Sequence, residues 1–172
     1  MSGFAIRRLE AGDAGAFLAL RQLALESCPA AFGAAPEDDF LQSEADVRTL
    51  FARRGDGAVF GGFAERLVGC AGFYRDKKIK ERHKAHLWTM FVEPEFRGRG
   101  VARALLEAVL AHCARTEGVT DIHLGVSDRA SAARALYEGF GFVAWGVEPR
   151  ALQFQDVTVS LRHMVLTIRH AE

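Results

Sequence analysis

Apolar positions along this chain change their period repeatedly, and the changes mark the elements. Phe4 to Leu9 reads as a first strand, and Asp13 reads as the cap of a helix running to about Ser27 that carries Phe17, Leu20, Leu23 and Ala24 on one stripe. Cys28-Pro29 stops that helix, and Ala30 to Phe40, with Gly33 and Pro36, reads as a loop. Ser43 and Asp46 resemble a capping box for a second helix ending near Arg54, where Gly55-Asp56-Gly57 interrupts. The apolar runs Ala58 to Ala64 and Leu67 to Tyr74, separated by Glu65-Arg66, predict a hairpin.

Beyond the charged link Asp76 to Lys84, Leu87 to Val92 reads as a central strand and Val101 to Cys113 as a helix. Strand, helix, strand and strand then follow, with Asp121 to Ser127 the first of these and Val157 to Ile168 the last. No internal repeat, linker or low-complexity tract interrupts this order. It predicts an α/β sheet flanked by helices and one domain over residues 1–172.

The join between the central strand and its following helix, Val92-Glu93-Pro94-Glu95-Phe96-Arg97-Gly98-Arg99-Gly100-Val101-Ala102-Arg103, carries the chemistry. A glycine turn opening a helix presents consecutive backbone N–H groups backed by the helix dipole, so it suits a phosphate or pyrophosphate. Arg97, Arg99 and Arg103 add charge favourable to such a group. The spacing is wrong for a Walker loop, because Arg99 alone separates Gly98 from Gly100 and no Lys-Ser/Thr follows. It is also wrong for a dinucleotide fingerprint, which needs Gly or Ala where Arg103 stands.

The pattern [QR]-x-x-G-x-[GA] does fit, through Arg97, Gly100 and Ala102. On these residues, and on Ala133-Arg134-Ala135-Leu136-Tyr137-Glu138-Gly139-Phe140-Gly141-Phe142 downstream, the chain resembles the GCN5-related N-acetyltransferase (GNAT) superfamily over roughly residues 4 to 168. The resemblance implies a mixed, mostly antiparallel central sheet of about seven strands flanked by about four helices. It also implies acetyl coenzyme A as co-substrate, with its pyrophosphate on Arg97, Gly98, Arg99, Gly100, Val101, Ala102 and Arg103. Backbone groups of Met90, Phe91 and Val92, on a central strand that splays from its neighbour, would hold pantetheine and polarise the thioester carbonyl.

Tyr137 matches the family's general acid beside the coenzyme sulfur; the competing reading has Ala133, Leu136, Tyr137 and Phe140 as a packing stripe. The family's coenzyme-contacting Asn is Ala130 here, with Ser131 as a substitute. The glutamate of some protein N-terminal acetylating members is Gly125, so a protein N-terminus is less supported as acceptor. The base of the histone-acetylating branch falls on His86, whose unperturbed pKa near ~6.5 suits the task. A water relay and Glu93 are the alternatives, and a strand bulge would redirect His86.

A base is needed because an alkyl ammonium, with a pKa near ~10.4, is protonated at neutral pH and cannot attack a thioester until it loses a proton. The acceptor expected is an amine-bearing small molecule or a protein amine, attacking directly in a ternary complex. No acyl-enzyme is expected, since Cys28, Cys70 and Cys113 have no recognisable partner base. The rival from another class is a catalytically silent coenzyme A sensor that keeps the turn without turnover.

Composition narrows the partners. With 22 Lys plus Arg against 22 Asp plus Glu there is no global basic field, and no nucleic-acid partner is expected. An odd number of well-separated cysteines points to reduced thiols, and the absence of a signal-peptide core or long apolar run points to a cytoplasmic protein without membrane association. His83 and His86 form an H-x-x-H pair with no third ligand in reach, so no metal is assigned. The link Arg75 to Lys84 and the acidic stretch Glu37-Asp38-Asp39 read as solvated charge, although the latter borders the implied acceptor site. Acceptor specificity would come from the loops Ala30 to Phe40 and Pro149 to Asp156, and an exposed last strand could pair chains into a homodimer.

Overall fold

The computed structural model describes residues 3–53 and 55–168. In chain order the elements are β1 (Ala5–Arg8), α1 (Ala14–Ser27), α2 (Glu44–Ala52), β2 (Gly57–Phe63), β3 (Leu67–Arg75), β4 (Lys84–Val92), α3 (Val101–Arg115), β5 (Asp121–Ser127), α4 (Ser131–Gly139), β6 (Val143–Phe154) and β7 (Val157–Thr167). The strands form one sheet in the order β1-β2-β3-β4-β5-β7-β6. All neighbours are antiparallel except β4 and β5.

Helix starts follow the sequence signals with one exchange of roles. Ser43 and Asp46 do form the reciprocal capping box of α2, Ser43 Oγ accepting from the Asp46 N–H at 3.2 Å. Asp13 stands at the N-cap of α1 but does not cap it. Its carboxylate accepts from the Glu10 N–H at 2.9 Å and from both terminal nitrogens of Arg7, at 2.7 and 2.8 Å. The helix stripe thereby docks against the end of β1. The expected run of α2 to Arg54 stops at Ala52, and Arg54 lies outside the described residues.

Two apolar layers sandwich the first half of the sheet. On one face α3 and α4 bury Leu105, Leu106, Val109 and Tyr137 against Phe73, Leu87, Ile122 and Met164. On the other, α1 and α2 bury Phe17, Leu20, Ala24 and Val47 against Val59, Cys70 and Phe91. β3 is covered on both sides, which is why it reads as an unbroken apolar run instead of an alternation.

Two expectations fail at the other end of the sheet. β7 is enclosed between β5 and β6, so it is no free edge; the edge is β6, a strand the element order anticipates. The segment Pro149 to Asp156 is mostly strand, with Pro149 to Phe154 inside β6 and its register slipping between Glu148 and Leu152. Among the described residues, no helix is long and apolar enough to cross a membrane, and no cluster of three or more His, Cys, Asp or Glu could hold a metal.

Candidate active site

The site is created by a parting of strands. β4 pairs with β5 only from Lys84 to His86, opposite Asp121 to His123. Beyond that vertex Leu87 to Val92 keeps its ladder to β3 alone, leaving the opposite backbone edge without a strand partner. A bulge enforces the parting. The register to β3 slips between Cys70 and Gly72, and Thr89 adopts φ 53°, a left-handed conformation rare for a β-branched residue.

Thr89 is held there from two sides. The Cys70 thiol donates to its carbonyl at 3.2 Å, and Arg21 Nη1 donates to its hydroxyl at 3.2 Å. Arg21 is itself clamped by Asp39 through Nε at 2.9 Å and Nη2 at 2.7 Å, with both residues only 5% exposed. The indole of Trp88 lies 5.3 Å from the guanidinium. Asp39 is therefore a buried, paired carboxylate, which corrects its reading as a solvated loop residue. Asp38 instead accepts from the Ala35 N–H at 2.7 Å and shapes the loop.

At the carboxyl end of β4 the chain turns through Pro94 to Phe96 into α3, with Gly98 at φ 71° and Gly100 at φ 87°. Both values favour glycine, and no side chain caps the helix that Gly100 opens. The first-turn N–H groups of α3 are thus left for an anion. Arg97 Nε donates to the Val92 carbonyl at 2.9 Å, tying the turn to the unpaired end of β4.

A cavity of about 670 Å³ lies over this turn and runs inward between β4 and α4. Met90, Phe91, Val92, Arg97, Gly98, Gly100, Val101, Ala102, Arg103 and Tyr137 all border it, so these sequence-identified positions are brought together. Arg99 and Ser131 are not among its lining. Arg99 lies over the Phe96 ring at 5.3 Å, and Arg129 stands on the wall where Ser131 was expected.

Tyr137 is also a wall of a second cavity of about 270 Å³, which passes through the strand gap to Trp88, Thr89, Gly125 and Arg21 on the α1 side. Its phenol is 5% exposed, and burial pushes its pKa well above the ordinary value. The hydroxyl is protonated at neutral pH, as an ordinary tyrosine's is, and burial makes it a weaker acid until a charge develops beside it. The packing role is real as well, since the Tyr137 and Phe142 rings meet edge to face at 5.8 Å.

His86 occupies the vertex of the parting on the α1 side but borders neither cavity. Its Nε2 lies 2.8 Å from Asp76 Oδ2, its ring stacks on Tyr74 at 4.8 Å, and the His123 ring lies 5.6 Å away. The hydrogen bond from His86 is the leading reason the Asp76 carboxyl sits below its usual range. Glu93 is engaged by both terminal nitrogens of Arg66, and Arg66 Nη2 donates to it at 2.8 Å.

Two of the three thiols are buried and held away from the thiolate form. Burial pushes Cys70 and Cys113 up to about 12, and Cys28 borders the larger cavity with Arg97 Nη2 3.9 Å from its sulfur. Arg21 and Thr89 escaped the sequence reading, and Asp39 was read there without its partner. One signal was present: Arg21 interrupts the apolar stripe of Phe17, Leu20 and Ala24, where a charge is tolerated only with a buried partner.

A mixed sheet parted beside an uncapped, glycine-opened helix defines an α/β protein with an anion-competent turn next to an open strand gap. Residues 17–142 match the model of the Acetyltransferase (GNAT) family, and the chain belongs to that family. Among curated proteins it is 37% identical over 90 residues to the mycothiol acetyltransferase of Thermobispora bispora, covering 49% of this chain and 30% of that protein. It is 34% identical over 104 residues to N-acetyltransferase 8B of Rattus norvegicus, covering 59% and 46%. The matched region thus spans about a third to a half of these relatives' length.

Solved structures share the fold. A GNAT-family acetyltransferase from Streptococcus pneumoniae superposes with a TM-score of 0.86 at 21% identity, over 96% of this chain and 100% of that one. YncA, a putative acetyltransferase from Salmonella typhimurium solved with its cofactor acetyl-CoA, gives 0.84 at 18% identity over 98% and 95%.

Proposed function

We propose that the protein is an acetyl-CoA-dependent N-acetyltransferase that passes the acetyl group directly to an amine in a ternary complex. The observation that carries this reading is the continuity of the two cavities through the strand gap, with Tyr137 on the wall of both. The larger cavity suits the coenzyme. It has the uncapped start of α3 and the cations Arg97 and Arg103 for the pyrophosphate, and apolar walls for pantetheine.

Bound there, acetyl-CoA supplies a thioester whose carbonyl carbon is open to attack. The unpaired backbone edge of Met90 to Val92 orients that carbonyl and offers N–H donors where negative charge develops. The amine enters from the α1 side. Its proton leaves through water toward His86, which Asp76 holds through Nε2 at 2.8 Å, and Tyr137 gives its proton to the departing sulfur. His86 stands at the base of the gap on the acceptor side, which supports a relay rather than direct contact. The free cysteines Cys28, Cys70 and Cys113 support a reducing, cytoplasmic setting.

Calorimetric titration with acetyl-CoA, repeated on Arg97→Ala and Gly100→Ala proteins, tests the cofactor half, and thiol release with an amine panel tests transfer. Binding that the substitutions weaken, with thiol release by the intact protein, is the expected result. No binding to the folded intact protein overturns the reading, and binding without thiol release from any amine points to a coenzyme sensor.

A further inference from the structure

A third cavity, of about 300 Å³, lies between α2, the start of β2 and the end of β3, away from the coenzyme turn. Its walls are apolar, formed by Leu9, Leu50, Phe51, Val59 and Trp88. Its rim is cationic: Arg8, Arg53, Arg75 and Lys77 surround it with Asp56 as the one acid, and Asp56 already faces Arg82 at 3.8 Å. Neither Arg53 nor Lys77 has an ion-pair partner among the described residues. In a chain with no net charge, that local excess is a property of this place and not of the whole surface.

Trp88 is a wall of this cavity and also of the strand-gap cavity that contains Tyr137. Phe40, 62% exposed, lies across the indole with ring centroids 5.7 Å apart. The Trp88 indole is therefore the shared wall over which one elongated molecule would pass from the strand gap to the cationic rim. The rim residue Arg75 lies opposite Ala85 on β4. From Thr89 to Ala85 is four residues along β4, so the rim lies several strand residues away from the gap.

We propose that this cavity is the acceptor's specificity pocket, and that the acceptor is an amine on an apolar body ending in an anionic group far enough from the amine to reach this rim. The proposal rests on the transferase reading above. Apolar contact along Trp88, Leu50 and Phe51 holds the body, while Arg53 and Lys77 select an anion over a cation at the far end.

The test compares straight-chain ω-amino carboxylates of increasing length with alkylamines and diamines of equal length as acceptors. The ω-amino carboxylate long enough to reach the rim should exceed the matching alkylamine in kcat/KM by roughly tenfold, and the diamine should fall below both. Arg53→Ala with Lys77→Ala should collapse that ratio toward one, and Lys77→Glu should turn it in favour of the diamine. Both residues are exposed, and retained acetyl-CoA binding verifies that the variants are folded.

A second measurement needs no turnover. In a Trp145→Phe background, where Trp88 is the remaining tryptophan, a long-chain carboxylate lacking the amine should quench fluorescence, and the double variant should lose the effect. Acetylation of amines with neither carboxylate preference nor quenching overturns the pocket and leaves the transferase intact. Quenching that the double variant abolishes, with no amine acetylated, supports the anion-ended ligand and overturns the transferase reading beneath it.

Discussion

The two faces of the sheet are built on different principles. On the α3–α4 face, the features of the proposed cofactor site come from two short stretches of chain, Val92 to Arg103 and Ala130 to Tyr137, and several of them are backbone groups. On the α1–α2 face, the features come from side chains far apart in sequence: Arg21, Asp39 and Thr89 converge in one buried cluster, and the cationic rim joins β1, α2 and β3. Backbone geometry tolerates side-chain drift provided the glycines remain. A side-chain cluster changes with each substitution, which is how one scaffold keeps its cofactor while its acceptor varies.

Removing the hydroxyl of Tyr137, the proposed acid, should have the largest effect. Tyr137→Phe should lower kcat by about 10² to 10⁴, the range for loss of a positioned acid, with calorimetric affinity for acetyl-CoA retained. An equal loss of affinity would make Tyr137 a packing residue instead.

Next comes the buried pair on the opposite face. Arg21→Met leaves the Asp39 carboxylate buried and unpaired and should cost about 3–5 kcal/mol in urea unfolding. Adding Asp39→Leu should recover most of that stability while leaving kcat depressed, because Thr89 has lost its hydrogen bond. Recovery of both would show that the cluster serves stability alone.

A smaller effect is expected at the turn. At Gly100 an added Cβ meets nothing closer than Phe4 Cζ at 3.9 Å, so Gly100→Ala is opposed only by its φ of 87°. The left-handed penalty of about 1–2 kcal/mol should weaken acetyl-CoA binding roughly 5- to 30-fold by calorimetry.

The smallest is a pH effect on the α3 packing. Burial, then Arg8 and Arg115, lower the His112 pKa, so the unfolded imidazole takes a proton first as pH falls. Its contribution is present above about pH 6.5 and is lost as pH falls through 6.5 toward the lower folded value. His112→Gln should flatten that part of a pH series of melting temperatures.

The same contrast explains what the sequence made legible. The strand–turn–helix unit at Gly98 and Gly100 and the Tyr137 helix are local patterns, and the structure places them around one cavity. The bulge at Thr89 left no local trace, because its left-handed backbone is imposed by partners 19 and 68 residues away in sequence. Asp39 sits among acidic neighbours that face solvent, so composition hid its pairing with Arg21. The existence of β6 was legible in the element order, but its second half, Pro149 to Phe154, read as a loop because an edge strand that buries little lacks the alternation a half-covered strand displays.

That edge also bears on how the protein behaves in a crowded solution. Val143, Trp145 and Val147 are exposed on β6, the composition of a strand that recruits another strand. Slips in register at Ala144–Gly146 and Glu148–Leu152, with Arg150 at φ 55°, break the row of free amides and carbonyls into short, twisted pieces. The irregular edge therefore acts as a guard against sheet extension, and ironing out its bulges by deletion would trade solubility for a straighter strand.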